Sequence, residues 1–423
     1  MKLKPADNHE DINFTEPEKS FNVWVVRRFK DMAIIRSGKD QKDIVDENGK
    51  YAVYGSGGIF SYAKTFLSKK VSVLLGRKGT IDKPIFVNMP FWTVDTMYYT
   101  DINKNTEPKF FFYLCTTINF EYYNYGSAVP SLSQKDLSRI VFLVPKTLGE
   151  QKQISQYIDL KTFAIDSKIS LLEDKILKYK DLNRAIINEA VCKGLNKNVP
   201  LKDSGVEWIG EIPEHWQVKR LKDVGYLYSG LSGKTGEHFN QEISDNSQHY
   251  IPFTNIANNK YINHEDLHNV LMEENERQNK VKKNDLFFLM SSEGFADIGK
   301  AALLIEDVKD TYLNSFCKGF RITKKTVVPK YLNYLLNSAA FRDKFIVQGK
   351  GFTRINLKME KVSAFEFIIP PVEEQTAIAE HLDKKTATID AIVANIKLQI
   401  DRLKELRKTL INDVVTGKLK VIE

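Results

Sequence analysis

Hydrophobic residues recur in alternating steps of four and three along two separate stretches of the chain, one from Ile158 and one from Leu382. Each stretch keeps this spacing over about four heptads, which predicts two long helices that pair as a coiled coil. The predicted seam residues are Ile165, Ile169, Leu172, Ile176, Tyr179 and Ile186 in the first helix, and Ile389, Val393, Ile396, Ile400, Leu403 and Leu410 in the second.

Both seams contain polar positions at the same places in the pattern. Thr162 and Thr386 occupy the second position, and Asn183 and Arg407 the eighth. The eighth residues either fix the register of the helices or are slightly polar sites near a helix end. Glycines follow each seam where helix C-caps belong.

The two seams belong to an internal repeat. Residues 150–162 (EQKQISQYIDLKT) align without a gap with residues 374–386 (EQTAIAEHLDKKT), and Trp24–Arg28 (WVVRR) matches Trp216–Arg220 (WQVKR). The segments between these matches differ in length and sequence. The chain is therefore a duplicated protein with similar edges and different centres.

We expect the two long helices to pair with each other in an antiparallel arrangement. A parallel pair would require the second globular part to return along the whole helix. Each helix of about 45 residues would span roughly 65 Å at 1.5 Å per residue. The two globular parts would then lie at opposite ends, related by a pseudo-twofold axis.

The centres have the pattern of mixed α/β domains, with strand-like runs such as Val71–Leu75 and helix-like runs such as 331–336. In both centres a strand runs into a glycine-containing loop, 76–80 in the first and 291–294 in the second. The predicted divisions are a tail (1–20), a first domain (21–149), a helix (150–195), a linker (196–215), a second domain (216–373) and a second helix (374–420).

Charge adds a second clue. The 423-residue chain has a formal net charge of +8, and residues 21–149 carry 18 Lys/Arg against 11 Asp/Glu. Residues 216–370 carry 22 against 18, so the positive excess lies in the two centres, which suits a polyanion held at two places. Charge of this size is a weak signal by itself, because many basic proteins bind no nucleic acid.

Three scattered cysteines, no long apolar run and a polar first segment predict a cytoplasmic protein without a membrane span or signal peptide.

Familiar catalytic motifs are missing from the sequence. Gly233-Lys-Thr lacks the glycine five residues earlier that a phosphate-binding loop needs, because that residue is Tyr228. There is no Asn/Asp-Pro-Pro-aromatic run to hold an adenine amino group, and His264 and His268 lack a further metal ligand. We therefore expect neither catalysis nor a metal site in this chain.

The segment 203–216 (DSGVEWIGEIPEHW) resembles the specificity subunit of Type I restriction–modification systems. So do the Glu-Gln pair after a proline at the start of both predicted helices and the Gly-Arg-Lys-Gly loop after a strand. Residues 1–20 lack the Ser-Gly-Val-Glu-Trp-Ile-Gly element found in the linker.

This resemblance implies that each centre is a target-recognition domain reading one half of a split site in double-stranded DNA. It also implies that the helices act as a ruler and that two methyltransferase subunits, and restriction subunits, assemble with the chain. S-adenosylmethionine and ATP with Mg²⁺ would be bound by those partners, and this chain would hold no cofactor. The alternatives are a stand-alone nucleic-acid-modifying enzyme and a coiled-coil scaffold that binds no DNA.

Basic side chains and glycine loops are the candidates for DNA contact, since Arg and Lys can bind guanine edges and glycines let phosphates approach the backbone. Turn formation is the alternative explanation for the glycines, and simple solvation for the Arg-Lys pair. The predicted residues are Ser56, Gly57, Gly58, Arg77, Lys78, Gly79 and Ser127 in the first domain, and Lys234, Thr235, Asn255, Lys350, Thr353 and Arg354 in the second.

Overall fold

The computed structural model describes residues 24–126, 128–239, 246–273, 276–295, 297–348 and 355–421. They form two compact units: the first contains the residues up to Leu172 together with those from Lys397, and the second is Glu173–Ile396. Predictions made for residues 1–20, Ser127, Lys350, Thr353 and Arg354 lie outside the described residues.

The first unit contains three sheets. Strand β1 pairs with β9, β2-β8-β5-β6 form a four-stranded sheet, and β4-β3-β7 form a three-stranded sheet in which β3 and β7 are parallel. The strands are β1 (Trp24–Arg28), β2 (Ala33–Ser37), β3 (Tyr51–Gly55), β4 (Gly58–Ala63), β5 (Ser72–Gly76), β6 (Ile85–Val87), β7 (Phe91–Thr93), β8 (Met97–Ile102) and β9 (Val141–Pro145). The helices are α1 (Phe29–Met32), α2 (Pro108–Thr116), α3 (Gln134–Arg139) and the first part of α4 (Leu148–Lys193).

The second unit has more strands and contains the start of the other long helix. Its strands are β10 (Leu201–Asp203), β11 (Glu211–Pro213), β12 (Gln217–Arg220), β13 (Gly225–Ser229), β14 (Ser247–Ile251), β15 (His268–Leu271), β16 (Leu286–Leu289), β17 (Ser291–Ser292), β18 (Ala301–Leu303), β19 (Thr311–Leu313), β20 (Cys317–Ile322), β21 (Ile355–Asn356) and β22 (Glu366–Ile369). Its helices are α5 (Leu221–Val224), α6 (Phe253–Asn258), α7 (Pro329–Asn337), α8 (Ala339–Gln348), α9 (Met359–Ser363) and α10 (Val372–Val415), whose last part belongs to the first unit.

The sheet topology of the first unit recurs in the second. Strand β12 pairs with β22, β13-β20-β16-β18 form the four-stranded sheet, and β15-β14-β19 form the three-stranded sheet, again with one parallel pair. The duplication therefore extends through the centres, where the two sequences have diverged. Strand residues at the centre of these sheets, such as Leu74 and Phe287, are fully buried. A sheet of this kind requires buried apolar residues but not particular ones, so the two sequences can differ while the topology is kept.

The long helices α4 and α10 have 46 and 44 residues, close to the predicted length. All twelve predicted seam residues are buried or partly buried. In the first unit Asp166 of α4 bonds Arg407 of α10, while Ile158 packs in one core with Val414. From Ile158 to Asp166 the residue number rises along α4, whereas the contacting residue on α10 changes from Val414 back to Arg407. The two helix segments are therefore antiparallel within this unit, as predicted.

In the second unit the end of α4 lies beside the start of α10. Val191 and Ile378 share one hydrophobic core, and Asn183 lines the same cavity as Asp390. The antiparallel relation therefore holds here too. Gly194 and Gly417 adopt the predicted left-handed C-cap conformation, with φ of +76° and +77°.

The glutamine of the repeated Glu-Gln pair joins each long helix to its neighbouring strand. Gln151 donates to the carbonyl of Pro145 (3.0 Å) and accepts from the backbone N–H of Glu107 (2.9 Å). Gln375 donates to the carbonyl of Pro370 (2.8 Å) and accepts from the N–H of Val328 (2.8 Å). Both amides satisfy backbone groups just before a domain helix, so this recurrence in the sequence has a structural cause.

Candidate nucleic-acid interface

Two of the predicted segments of the first unit, around Ser56 and around Lys78, lie together with residues 128–131, which follow the predicted Ser127 in sequence. Lys78 and Ser131 form an isolated antiparallel bridge, and the N–H of Gly79 donates to the carbonyl of Pro130 (3.0 Å). A Cβ added at Gly79 would lie 3.1 Å from Oγ of Ser56. The β3–β4 turn, the loop after β5 and residues 128–131 are thus neighbours, although about seventy residues of chain separate the first from the last.

Backbone hydrogen bonds hold the loop after β5 in place. The N–H groups of Arg77 and Lys78 both donate to the carbonyl of Thr96 (2.9 and 3.1 Å), and the N–H of Leu132 donates to the carbonyl of Arg77 (2.9 Å). The Arg77 guanidinium donates to the carbonyl of Asp95 (3.2 Å), whereas the Lys78 side chain is exposed. The loop therefore presents an exposed lysine beside an arginine whose guanidinium already donates to a backbone carbonyl.

The glycines of this surface have different roles. Gly58 and Gly79 have φ of +113° and +85°, so the turn geometry itself requires glycine at both positions. Gly57 has no positive φ, and a Cβ there would have no heavy atom within 4 Å. Turn formation therefore does not explain Gly57, and its open surroundings leave the backbone accessible to a close phosphate.

Two apolar residues follow the same turn and were not predicted from the sequence. Ile59 and Phe60 at the start of β4 are 51% and 56% exposed. Apolar contacts with a thymine methyl group, or an apolar side chain inserted at a base step, are common on DNA-binding surfaces. In the sequence these two residues are an apolar pair directly after a glycine turn. That pattern is equally typical of the start of an ordinary strand, so it does not by itself indicate a DNA contact.

The second unit has a counterpart to the loop after β5. Ser291 pairs with Asn356 as Lys78 pairs with Ser131, and β16 occupies the place of β5 in the four-stranded sheet. Residues 291–294 therefore correspond to the Arg-Lys-Gly loop, but they were not among the predicted contacts. The predicted Lys350, Thr353 and Arg354 precede β21 in sequence and lie outside the described residues.

The structure does not favour base contacts by two of the residues predicted in this unit. The side chain of Lys234 is only 2% exposed, and its ammonium lies 2.5 Å from a carboxylate oxygen of Glu276. Asn255 is fully buried and donates to the carbonyls of Asn263 (2.8 Å) and Asp266 (2.9 Å). Thr235 is exposed. A lysine and an asparagine in a loop-rich segment look like surface groups, and only tertiary contacts show that these two are internal.

Burial alone would raise the pKa of Glu276. The hydrogen bond from Lys234, together with bonds from the Glu273 backbone and Gln278, outweighs that effect and lowers the pKa to about 2. Lys234 and Glu276 are therefore a charged internal pair that fixes the segment before the turn 236–238, rather than groups that face a ligand.

Among the described residues no group of three or more His, Cys, Asp or Glu side chains is placed to hold a metal ion. No helix in the described part of the chain is long and apolar enough to cross a membrane. The groups brought together on the first unit are hydrogen-bond donors, glycine backbone and a cationic side chain. Groups of these kinds can bind phosphates and base edges.

The structure thus defines a duplicated mixed α/β protein with two long helices and a polar glycine-containing loop in each half. The profile described as "Type I restriction modification DNA specificity domain" matches residues 22–177 and 213–402. Because these matches cover well over half of the sequence, the chain belongs to this family, as the resemblance in its sequence suggested.

Curated relatives carry the same description. The chain is 27% identical over 210 residues to the Type I restriction enzyme EcoKI specificity subunit of Escherichia coli, covering 50% of this chain and 44% of that protein. It is 23% identical over 301 residues to the MjaVIII specificity subunit of Methanocaldococcus jannaschii, covering 70% and 66%. The match thus spans less than half the length of the first of these relatives.

Solved structures share the fold. A chain from a study of complex assembly and conformational transition of the type I R-M system superposes with a TM-score of 0.72 at 14% identity, covering 95% of this chain and 100% of that one. The HsdS subunit from Thermoanaerobacter tengcongensis gives a TM-score of 0.52 at 14% identity, covering 94% and 97%. The mixed α/β fold with two long helices is confirmed.

Proposed function

We propose that this chain is the non-catalytic DNA-recognition subunit of a Type I restriction–modification complex. Each of its two domains binds one half of a split site in duplex DNA, and methyltransferase subunits dock on the chain. The single observation that carries the proposal is the convergence of three chain-distant segments around Lys78, Gly57 and Ser131 in the first unit, on a sheet topology that the second unit repeats.

The arrangement suits DNA for two reasons. Lys78 is an exposed cation on a rigid loop, and such a group can neutralise a phosphate or bind a guanine edge. The open backbone at Gly57 allows a phosphate to come close without steric conflict. The curated relatives named above are specificity subunits of Type I restriction enzymes, which supports extending this role to the present chain.

The partners follow from that role. Methyl transfer needs S-adenosylmethionine and DNA cleavage needs ATP with Mg²⁺, and we assign these cofactors to the methyltransferase and restriction subunits. This chain supplies sequence selection and a platform that brings two methyltransferases to the two strands of one site.

The test is to produce the chain with its cognate methyltransferase subunit in cells and to map modified bases by long-read sequencing. We expect one split motif with a constant gap between its halves. A Lys78→Ala variant should weaken binding of duplexes that contain the motif and lower the slope of log affinity against log salt by about one. Lys104→Ala, which removes an exposed lysine that lines a separate first-unit cavity, is the matched control. Modification without a split motif, or none at all, would contradict the proposal.

The ruler role has its own test. Inserting one heptad at equivalent places in α4 and α10 preserves the seam and lengthens both helices by about 10 Å at 1.5 Å per residue. The gap between half-sites should grow by about three base pairs at 3.4 Å each. An unchanged gap in the modified sites would show that the helices do not set it.

A further inference from the structure

A polar contact ties a domain helix to the long helix in the first unit. The ammonium of Lys109 and the hydroxyl of Tyr113, both on α2, donate to the same carboxylate oxygen of Asp159 on α4, at 2.7 and 2.5 Å. Lys109 and Tyr113 are four residues apart, so they project from one face of α2. One carboxylate thereby fixes both the position and the rotation of that helix.

The second unit contains the same contact, built from repeat-equivalent residues. Lys330 and Tyr334 of α7, again four residues apart, donate to Asp383 of α10 at 2.8 and 2.7 Å. Asp159 and Asp383 occupy the same column of the repeat alignment. The contact has thus survived in both halves while the two centres diverged.

The lysine ion pairs alone explain this survival poorly, although the hydroxyls of the buried Tyr113 and Tyr334 add stabilising hydrogen bonds to the two carboxylates. The carboxylates of Asp159 and Asp383 are 36% and 26% exposed, and their lysine partners are more exposed still. Ion pairs of this kind contribute little to folding because water already solvates the charges. A directional contact to two donors on one helix face instead restricts how that helix can turn.

The two copies differ in one respect. In the second unit Lys260 and Tyr261 also reach Asp383, at 3.3 and 2.6 Å, from the segment that follows α6. Burial alone would raise the pKa of Asp383, but the bonds from Lys330, Tyr261 and Tyr334 hold it well below its ordinary value. The second domain is therefore held to its long helix by two chain segments, whereas Asp159 receives side-chain bonds from α2.

We infer that Asp159 and Asp383 are positioning residues that fix the orientation of each recognition domain on its long helix, and so set the exact gap at which two half-sites are accepted. This inference rests on the proposed DNA-recognition function. A domain that can rotate on its helix would still read its own half-site but would accept neighbouring gaps, since one base pair changes both the distance and the facing direction of the groove.

The test maps modified bases in cells that carry the methyltransferase subunit together with Asp159→Asn or Asp383→Asn chains. We expect unchanged half-site sequences with a second population of gaps one base pair longer or shorter. Asp174→Asn, which removes an exposed carboxylate from α4, is the matched control and should keep a single gap. If the wild-type chain yields no split motif, the proposed function itself fails; if it does but the variants keep a single gap, the positioning role fails.

Removing the donors separates positioning from folding. The Lys109→Met, Tyr113→Phe double variant should broaden the gap, while Lys330→Met, Tyr334→Phe should broaden it less, because Lys260 and Tyr261 still reach the carboxylate. Thermal unfolding of the purified chains checks that each remains folded. Reduced total modification with identical gap distributions in all variants would indicate a purely structural contact and overturn the inference.

Discussion

Gly38 and Gly230 occupy equivalent places just after β2 and β13, each following a serine at the end of the strand. A Cβ at Gly38 would overlap the carbonyl oxygen of Val94 and lie 2.6 Å from that of Thr93. A Cβ at Gly230 would overlap the carbonyl of Asn314 in the same way. We predict that Gly38→Ala or Gly230→Ala strongly destabilises the unit concerned.

The size of the effect follows from what the methyl group meets. The obstacle at Gly38 is backbone that is already fixed, because the N–H of Lys39 donates to Thr93 (2.9 Å) and the N–H of Val94 donates to Tyr54 (3.1 Å). Overpacking a well-packed site costs about 1–3 kcal/mol, and more where backbone must move. We expect a loss of about 3 kcal/mol in the free energy of unfolding, together with displacement of the turn after β3.

Urea unfolding followed by circular dichroism measures this loss, with Gly236→Ala as the matched control because a Cβ there would have no heavy atom within 4 Å. The control should change the free energy of unfolding by less than about 0.5 kcal/mol. Equal stability of Gly38→Ala and Gly236→Ala would refute the steric argument. Because the turn after β3 belongs to the candidate interface, Gly38→Ala should also weaken DNA binding.

Three further outcomes are expected. Asp285→Ala should cost about 3–5 kcal/mol in thermal or urea unfolding, because the buried Asp285 accepts two bonds from Arg321, which would lose its carboxylate partner and keep its bond to the carbonyl of Lys280. The pKa of Glu276 is lowered from its ordinary value of 4.5 to about 2 in the folded protein. Its pair with Lys234 should therefore stabilise the protein fully above pH 4.5 and lose that contribution as the pH falls towards 2. A Glu276→Gln variant should lack this part of the acid dependence when the melting temperature is measured across pH. Asn183→Arg introduces into the second unit the arginine that the first unit has at the equivalent position, Arg407. The longer side chain should fill the cavity that Asn183 lines and raise the melting temperature slightly. A lower melting temperature would show that the two sites are not equivalent.

The cavity shows how one repeat position was used differently. Arg407 bonds Asp166 at 2.9 Å in the first unit, whereas the equivalent Asn183 has a buried side-chain oxygen without a hydrogen-bond partner among the described residues. Both were predicted only as polar seam positions. Their difference depends on whether the longer side chain reaches the facing carboxylate, which the heptad pattern does not encode.

Part of the candidate site could be predicted from sequence, because glycine turns and a basic pair after a strand have local causes. Gly58 and Gly79 have the positive φ that such turns require. The predictions for Lys234 and Asn255 rested on residue type alone, and both residues turn out to be internal, where a nearby carboxylate and two backbone carbonyls satisfy them. Residue type reveals what a side chain can bind, but neighbours far away in sequence decide what it does bind.

The sequence alone determined the duplication, the two long helices and their caps, since these depend on periodicity and on residues close together in the chain. It also determined the family, through short motifs at the edges of each repeat. Only the tertiary structure showed that the diverged centres share one sheet topology and that Asp159 and Asp383 each hold a domain helix. Those features depend on strand pairing and side-chain contacts across long stretches of chain, where burial and hydrogen-bond geometry, rather than local pattern, select the outcome.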